Sequence, residues 1–176
     1  SGPAGSKLYS IAGITAAGDT IDRMQVYDVK ADKWAFGPPL PVAVNHHMAA
    51  VADGRIYVFG GQSASPTASP FVDTTFEFDP ATQMWRTRAA MPTARSAGSA
   101  AVINNKIYVA GGRPPRGHDF AMYDPATDQW TTLPDLPTAR NHLVVAAMRG
   151  KVYVVGGRFE AGAAGPMTDK IGRAHV

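Results

Sequence analysis

The sequence predicts an all-β fold in which four-stranded antiparallel sheets are repeated and packed side by side, as in a β-propeller. One stretch occurs three times, beginning at Pro41, Pro92 and Pro137, and each copy ends in a Gly-Gly pair. The first glycine always follows the proline by 19 positions (41 to 60, 92 to 111 and 137 to 156). A sheet of four strands cannot bury both of its faces alone, so such repeats must stack on their neighbours.

Each copy contains two strands joined by a tight turn. The second strand is short, rich in β-branched and aromatic residues and closed by small residues, which is typical of a strand buried on both faces. Four segments have this form: Lys7 to Gly13, Arg55 to Gly61, Lys106 to Gly112 and Lys151 to Gly157. A two-residue turn precedes the last three and predicts a hairpin, since Asp-Gly and Asn-Asn accept positive φ. These turns are Asp53-Gly54, Asn104-Asn105 and Arg149-Gly150.

Two outer strands follow each glycine pair. The first ends in an aromatic residue, and the second carries a tryptophan seven positions later: Tyr27 and Trp34, Phe78 and Trp85, Tyr123 and Trp130. From each tryptophan to the next glycine pair the distance is 26 (34 to 60, 85 to 111, 130 to 156), so the length variation falls in the loop after the glycine pair. We expect Trp85 and Trp130 to be largely buried between sheets, and Trp34 less so.

The order Gly-Gly, Tyr-Asp, Trp and Leu-Pro-Thr-Ala-Arg resembles the Kelch repeat over about Lys7 to Gly157. The resemblance implies a propeller of usually six or seven blades with four strands each. Because this chain holds fewer repeats, we predict a partial Kelch-type β-propeller of about three to four blades that forms an open arc. The chain departs from the pattern at Ala12, in place of a glycine, and at Val44, where the other copies have arginine.

The predicted propeller fragment covers residues 1–169. Blade 1 is incomplete (7–36), blade 2 covers 45–88, blade 3 covers 96–132, and blade 4 is incomplete (142–169), with a third strand beginning near Met167. Residues 170–176 are expected to be a non-native read-through tail, because IGRAHV matches one reading frame of a common sequencing adapter. A genuine disordered terminus is the alternative.

Charge and composition argue against several partners. The chain has 17 Lys and Arg against 14 Asp and Glu, a net charge of +3, and two of the basic residues lie in the suspected tail. This small balance predicts no general affinity for nucleic acid or anionic membrane, and no apolar run has the roughly 18 residues of a membrane span. With no cysteine, disulfides and thiolate metal sites are excluded within these 176 residues. The sequence indicates no cellular compartment.

The predicted strand order locates a functional face. The connections between blades and the loops after the glycine pairs must emerge on the same side, which we call the loop face, while the tight turns lie on the other. The loop face would carry Arg95, Arg140, Arg113, Arg116 and Arg158, with Asn45, Ser96 and Asn141 at the starts of the inner strands. In Kelch domains that capture acidic peptides, arginines at these positions line the pocket.

The resemblance therefore implies ligand-binding roles for seven of these residues: Arg95, Arg140, Arg113, Arg158, Asn45, Ser96 and Asn141. The alternative for Arg95 and Arg140 is that they pair with the backbone or an acidic neighbour between blades. His46 and His142 are equivalent by alignment but lie two blades apart, so packed or channel-lining histidines are favoured over a metal site. We predict no metal, no cofactor and no catalytic residue, because no nucleophile elbow, phosphate loop or paired carboxylates are present.

These observations favour a non-enzymatic Kelch module that presents its loop face to a protein, an acidic peptide or a glycan, together with the remaining blades of a longer chain. The alternative is a carbohydrate-active Kelch-propeller enzyme, such as a protein similar to the sialic acid mutarotases; nitrile-specifier proteins are another enzymatic case. Chemistry like that of galactose oxidase would need a cysteine crosslinked to tyrosine, which this sequence lacks. Fold analogy alone does not choose between the two classes.

Overall fold

The structure, a computed structural model, describes residues 7–63, 70–113 and 115–159, and the backbone of residues 171–174. Within these residues the chain forms sixteen β-strands and no helix. The all-β prediction is confirmed.

The strands form four antiparallel sheets of three or four strands, and a fifth sheet of two strands. The first sheet contains β1 (Lys7–Ile14), β2 (Thr20–Asp28) and β3 (Lys33–Gly37). The second contains β5 (Met48–Ala52), β6 (Arg55–Phe59), β8 (Thr75–Asp79) and β9 (Met84–Arg88), with β4 (Val44–Asn45) and β7 (Gln62–Ser63) pairing beside it. The third contains β10 (Ser99–Ile103), β11 (Lys106–Ala110), β12 (Phe120–Asp124) and β13 (Gln129–Thr132). The fourth contains β14 (Val144–Met148), β15 (Lys151–Val155) and β16 (Ile171–Ala174).

The three predicted hairpin turns are confirmed. Both turn residues have positive φ in each case: 48° and 70° at Asp53-Gly54, 51° and 61° at Asn104-Asn105, and 52° and 69° at Arg149-Gly150. Positive φ at both positions matches the twist of the flanking strands. The flanking residues pair across each turn, as Ala52 does with Arg55. The sequence thus predicts the register of the inner hairpins.

Residues 170–176, predicted to be a non-native tail, include a short strand that pairs with the fourth sheet. Ile171–Ala174 pairs antiparallel with β15, from Val155 opposite Ile171 to Val152 opposite Ala174. Backbone N–H and C=O groups make this pairing, so it requires no alternating side-chain pattern. A foreign origin for the tail stays a prediction, and the strand expected near Met167 falls outside the described residues.

The core lies between the sheets. Tyr57 and Phe59 of the second sheet pack on Ile107, Val109 and Tyr123 of the third. A similar cluster joins the third sheet to the fourth through Tyr108, Phe120, Leu143 and Val152, and another joins the first to the second through Met24, Ile56 and Phe78. Successive sheets therefore bury apolar side chains between them, as expected for stacked repeats.

The tryptophans connect successive sheets by a repeated hydrogen bond. Trp85 Nε1 donates to the carbonyl of Pro38 at 3.0 Å, and Trp130 Nε1 donates to that of Ala89 at 2.9 Å. Both rings are half-buried rather than largely buried, because they sit on the outermost strands β9 and β13. Trp34 is 55 % exposed, as its place on the first sheet leads us to expect.

Candidate functional site

The inner ends of three sheets meet in a chain of backbone hydrogen bonds. Ala97 N donates to His46 O, and His142 N donates to Ala97 O, each at 2.7 Å. These three residues, which we call the axial ring, precede β5, β10 and β14 and share positive φ values of 51°, 57° and 52°. The repeated conformation directs equivalent residues of successive sheets toward one axis.

The axial ring brings two histidines together. The ring centroids of His46 and His142 are 5.3 Å apart, with an interplanar angle of 87°. The sequence-based view that these imidazoles lie far apart is therefore wrong. Blades radiate from the axis, so two positions separated by a whole blade can still touch when both lie at the inner end of a strand.

Neighbouring asparagines orient both imidazoles. Asn45 Oδ1 lies 2.5 Å from His46 Nδ1, and Asn141 Oδ1 lies 2.6 Å from His142 Nδ1. Asn45 Nδ2 donates to Thr20 Oγ1 at 2.6 Å, which leaves its oxygen to accept from the histidine. A side chain bonded in this way fixes both the ring orientation and the tautomer.

The residues after the glycine pairs lie beside the axial ring. Gln62 pairs with Asn45, Arg113 N donates to Ser96 O at 2.8 Å, and Arg158 N donates to Asn141 O at 2.8 Å. The three positions are equivalent in the repeat. The structure thus brings Arg113 and Arg158, both predicted site residues, to the axis.

Arg113 reaches from the third sheet to the second. Its Nη1 donates to Gln62 Oε1 at 3.1 Å, and its Nη2 lies 3.2 Å from His46 Nε2. A guanidinium group can only donate, so Nε2 accepts and the proton of His46 is on Nδ1, where it is donated to Asn45.

Burial and positive charge keep both axial histidines neutral. The pKa of His46 lies below its ordinary 6.5, because of burial first and the charge of Arg113 second. The pKa of His142 is lowered by burial, then by Arg113, His46 and Arg158. The axis is therefore a cationic site that contains two neutral imidazoles at pH 7.

Arg95 differs from its predicted ligand-binding role. It is fully buried (0 % exposed) and donates to the carbonyl of Asp119 at 2.7 Å and to those of Gly111 and Val109 at 3.4 Å. Burial lowers the pKa of Arg95 to about 10, which leaves it charged at neutral pH. In the second repeat this position holds Val44, also buried, which marks it as a core position.

Arg140 is placed in the same way. It is 3 % exposed, its Nη1 donates to Gly156 O at 3.1 Å, and its guanidinium lies 5.8 Å from the centroid of Phe159. Arg95 and Arg140 therefore fit the backbone pairing named in the alternative above, with carbonyls of the sheet that each connection enters.

The Pro-Thr-Ala-Arg segments also explain the glycine pairs. Gly61 N donates to Arg95 O at 3.0 Å, which links the second sheet to the connection that enters the third. A Cβ on Gly60 would lie 2.4 Å from Arg95 O, and one on Gly111 would lie 2.7 Å from Arg140 O. The backbone approach is too close for any side chain. Gly60-Gly61 with Arg95, and Gly111-Gly112 with Arg140, therefore form close backbone contacts between sheets, each of which we call an inter-sheet joint.

The three polar residues predicted at the strand starts are buried rather than open to a ligand. Asn45, Ser96 and Asn141 have between 0 and 6 % of their surface exposed. Asn45 and Asn141 orient the axial histidines instead. Sequence reasoning had noted the repeated Asn-His pair but omitted His46 and His142 from the site, although that repetition was the signal that could have identified them.

Two kinds of feature are absent from the part of the chain that the structure describes. It contains no group of three or more His, Cys, Asp or Glu arranged to hold a metal ion. It also contains no helix long and apolar enough to cross a membrane.

Comparison with known proteins identifies the family. Residues 2–164 match the model of the KLHDC2/KLHL20/DRC7 Kelch-repeats domain. The chain is 36 % identical over 96 residues to Kelch-like protein terF of Aspergillus terreus, covering 53 % of this chain and 21 % of that protein. It is 31 % identical over 115 residues to human Kelch-like protein 34, covering 64 % and 18 % respectively. This chain belongs to the Kelch-repeat family.

A solved structure titled "Structure of YjhT" shares the fold, with a TM-score of 0.78 and 19 % identity over 94 % of this chain and 57 % of that one. The predicted Kelch-type propeller is thus confirmed, and the chain represents part of one. It spans about a fifth of the length of the curated relatives named above.

Proposed function

We propose that this chain is a non-enzymatic binding module whose loop face takes an acidic group of a protein or peptide ligand, with acidic glycans as a second ligand class. Membership of the Kelch family and the similarity to Kelch-like proteins support a protein ligand. The acidic group expected in the ligand is inferred from the cationic residues at the axis.

The observation that carries the proposal is the position of Arg113 and Arg158 beside the axial ring, where their backbone N–H groups donate to Ser96 O and Asn141 O. Both charges also lower the pKa of His142. Among the described residues no ion pair includes Arg113, whose guanidinium is held by the neutral groups of Gln62 and His46. A carboxylate would be a stronger acceptor than either, because a charged acceptor roughly doubles the strength of such a bond.

Buried arginines hold this site in place without touching the ligand. Arg95 and Arg140 fix the connections from which Ser96 and Asn141 continue, and those two residues pair with Arg113 and Arg158 through the backbone. A guanidinium anchored at its backbone in this way loses less conformational freedom on binding. In this proposal Arg95 and Arg140 stabilise the loop face, whereas Arg113 and Arg158 contact the ligand.

The test uses a fluorescent glutamate-rich peptide and a glutamine-matched peptide of the same length. Arg113→Ala and Arg158→Ala should each weaken binding of the glutamate peptide by about tenfold or more, the scale of one hydrogen bond to a charged group. Binding in the parent should fall as salt rises. Arg86→Ala is the matched control, because Arg86 is exposed on β9.

Folding of each variant is followed by circular dichroism. Equal binding of the two peptides, or unchanged binding by both axial variants, would contradict the proposal. Weaker binding by Arg86→Ala to the same degree would show a general charge effect instead of a site.

One observation favours the enzymatic alternative, a carbohydrate-active protein similar to the sialic acid mutarotases. His142 is neutral, and its Nδ1, anchored by Asn141, leaves Nε2 for proton transfer, which such chemistry requires. Anomer exchange of N-acetylneuraminic acid, measured by NMR, tests this. Exchange accelerated by the chain and lost in His142→Gln would favour the enzyme, whereas exchange at the buffer rate would favour the binding module.

A further inference from the structure

When His46 is neutral, both of its ring nitrogens have hydrogen-bond partners within the site. Arg113 Nη2 donates to His46 Nε2 at 3.2 Å, and His46 Nδ1 is engaged by Asn45. A proton on Nε2 would turn that acceptor into a donor, so two donors would then face each other. An oxyanion placed between them could accept a hydrogen bond from both.

We propose that His46 and His142 form a proton-linked oxyanion subsite: the acidic group of the ligand binds beside Arg113, and the imidazoles take up protons as it binds. This inference rests on the proposed function, since it names the groups that regulate the same site. It adds His46 and His142 to the arginines as residues that contact the ligand directly.

The charged groups around His46 and His142 all lower the pKa values of these two histidines. The second sheet contributes Asn45 and Gln62, which are neutral, and the third and fourth contribute Arg113 and Arg158, which are cationic. His47, next in the chain, has its own pKa lowered and so stays neutral. The charges that lower the pKa values of the axial histidines are thus all positive, among the described residues.

A bound anion at the axis changes which form of the imidazoles is favoured, from neutral to protonated. Without ligand, an imidazolium would face other cations in a partly buried site, so the neutral form is favoured. With an oxyanion bound, the imidazolium gains an opposite charge and a hydrogen-bond acceptor, and the pKa of each histidine rises. By linkage, a ligand that promotes proton uptake must bind more tightly as the pH falls.

The size of the effect follows from the same linkage. Affinity changes by up to about tenfold per pH unit for each proton taken up. Between pH 7.5 and pH 5.5 we expect the glutamate peptide, which stays ionised over most of this range, to bind at least about tenfold more tightly. A site built from arginines alone would show no such change, because guanidinium groups stay protonated throughout.

The first experiment follows the histidine ring protons of the unmodified chain by NMR between pH 5 and pH 8, with and without sulfate, whose charge is constant over this range. Sulfate should raise the pKa of His46 and His142 by about one unit or more. His118, whose Nδ1 contacts Leu136 O, is the internal control, and sulfate should leave its ring-proton resonances unchanged at each pH. Sulfate that binds without moving either axial pKa would overturn the inference.

The second experiment measures peptide affinity at both pH values in three variants. The double variant His46→Gln, His142→Gln should remove the pH dependence, whereas His118→Gln should retain it. Arg113→Ala should lose binding at both pH values. Ring-proton titration of the unmodified chain keeps the inference testable even if the double variant folds poorly.

The outcomes separate the two proposals. Arginine-dependent binding with equal affinity at pH 5.5 and 7.5 would overturn the proton-linked subsite and leave the binding module intact. An absence of peptide binding by the parent at both pH values would overturn both. A pH dependence that survives in the histidine double variant would assign the effect to another group and also overturn the inference.

Discussion

Two pairs of arginines occupy the same face of this propeller and have opposite environments. Arg95 and Arg140 are buried and bonded to backbone carbonyls, whereas Arg113 and Arg158, each 18 positions later, lie beside the axial ring (95 to 113 and 140 to 158). Residue type and face are therefore the same, but burial is not. The difference shows that topology assigns a residue to a face without determining whether it reaches solvent.

The local backbone accounts for the difference. The Pro-Thr-Ala-Arg connection approaches the preceding glycine pair so closely that a Cβ on Gly60 or Gly111 would overlap it, and the side chain of Arg95 then enters its own sheet. Arg113 instead follows Gly112, whose φ of 152° ends the inner strand and turns the chain toward the axis. An arginine after a glycine pair is thus the better candidate for ligand contact.

The largest expected effect separates the two arginine classes directly. Arg95→Ala should lower the free energy of unfolding by about 3 to 5 kcal/mol, since three buried carbonyls lose a charged donor and a cavity remains. Arg113→Ala should cost less than about 1 kcal/mol. Urea denaturation followed by tryptophan fluorescence measures both. A small loss for Arg95→Ala would mean that its guanidinium can reach solvent, and the comparison would fail.

The next effect concerns His47, which follows the axial residue His46 in the chain. Burial, followed by the charge of His46, lowers the pKa of His47 from 6.5 to about 4, and its Nδ1 is buried with no hydrogen-bond partner among the described residues. Because the folded-state pKa is lowered, the unfolded chain binds the proton first. The stability that neutral His47 contributes is then fully present above pH 6.5 and is lost as the pH falls toward 4.

The expected loss from His47 is on the order of 3 kcal/mol over that interval. Thermal melting at pH 7.5 and pH 4.5 measures it, and His47→Gln should flatten the dependence. If His47→Gln and the parent respond equally to acid, the pH sensitivity belongs to other groups.

The smallest of these effects tests the joint that keeps Arg140 in place. Gly111 and Gly150 share a φ of 69°, but a Cβ on Gly111 would lie 2.7 Å from Arg140 O, whereas nothing lies within 4 Å of one on Gly150. Gly150→Ala should cost about 1 kcal/mol from backbone strain alone. Gly111→Ala should cost about 1 to 3 kcal/mol more because of the overlap.

Chemical denaturation of both glycine variants gives the difference, which cancels the common strain. Equal losses would show that the connection can move away from the sheet, and that Arg140 is not held by this joint.

The sequence by itself determined the repeat. Constant spacings, Asp-Gly and Asn-Asn turns and the aromatic-to-tryptophan interval predicted the sheets and hairpins, because these features depend on hydrogen bonds and packing among residues close in the chain. It also predicted Arg113 and Arg158 as site residues, and their binding role stays a prediction. Their place after a glycine pair is a local property that a single repeat displays.

Only the tertiary structure decided which arginines are buried and that His46 and His142 touch. Both facts depend on how one blade is rotated against the next, and that rotation is set by packing between sheets, to which residues far apart in the chain contribute. The histidines are 96 positions apart (46 to 142), yet their ring centroids are 5.3 Å apart, because both lie where the blades converge. No periodic pattern along the chain contains that distance.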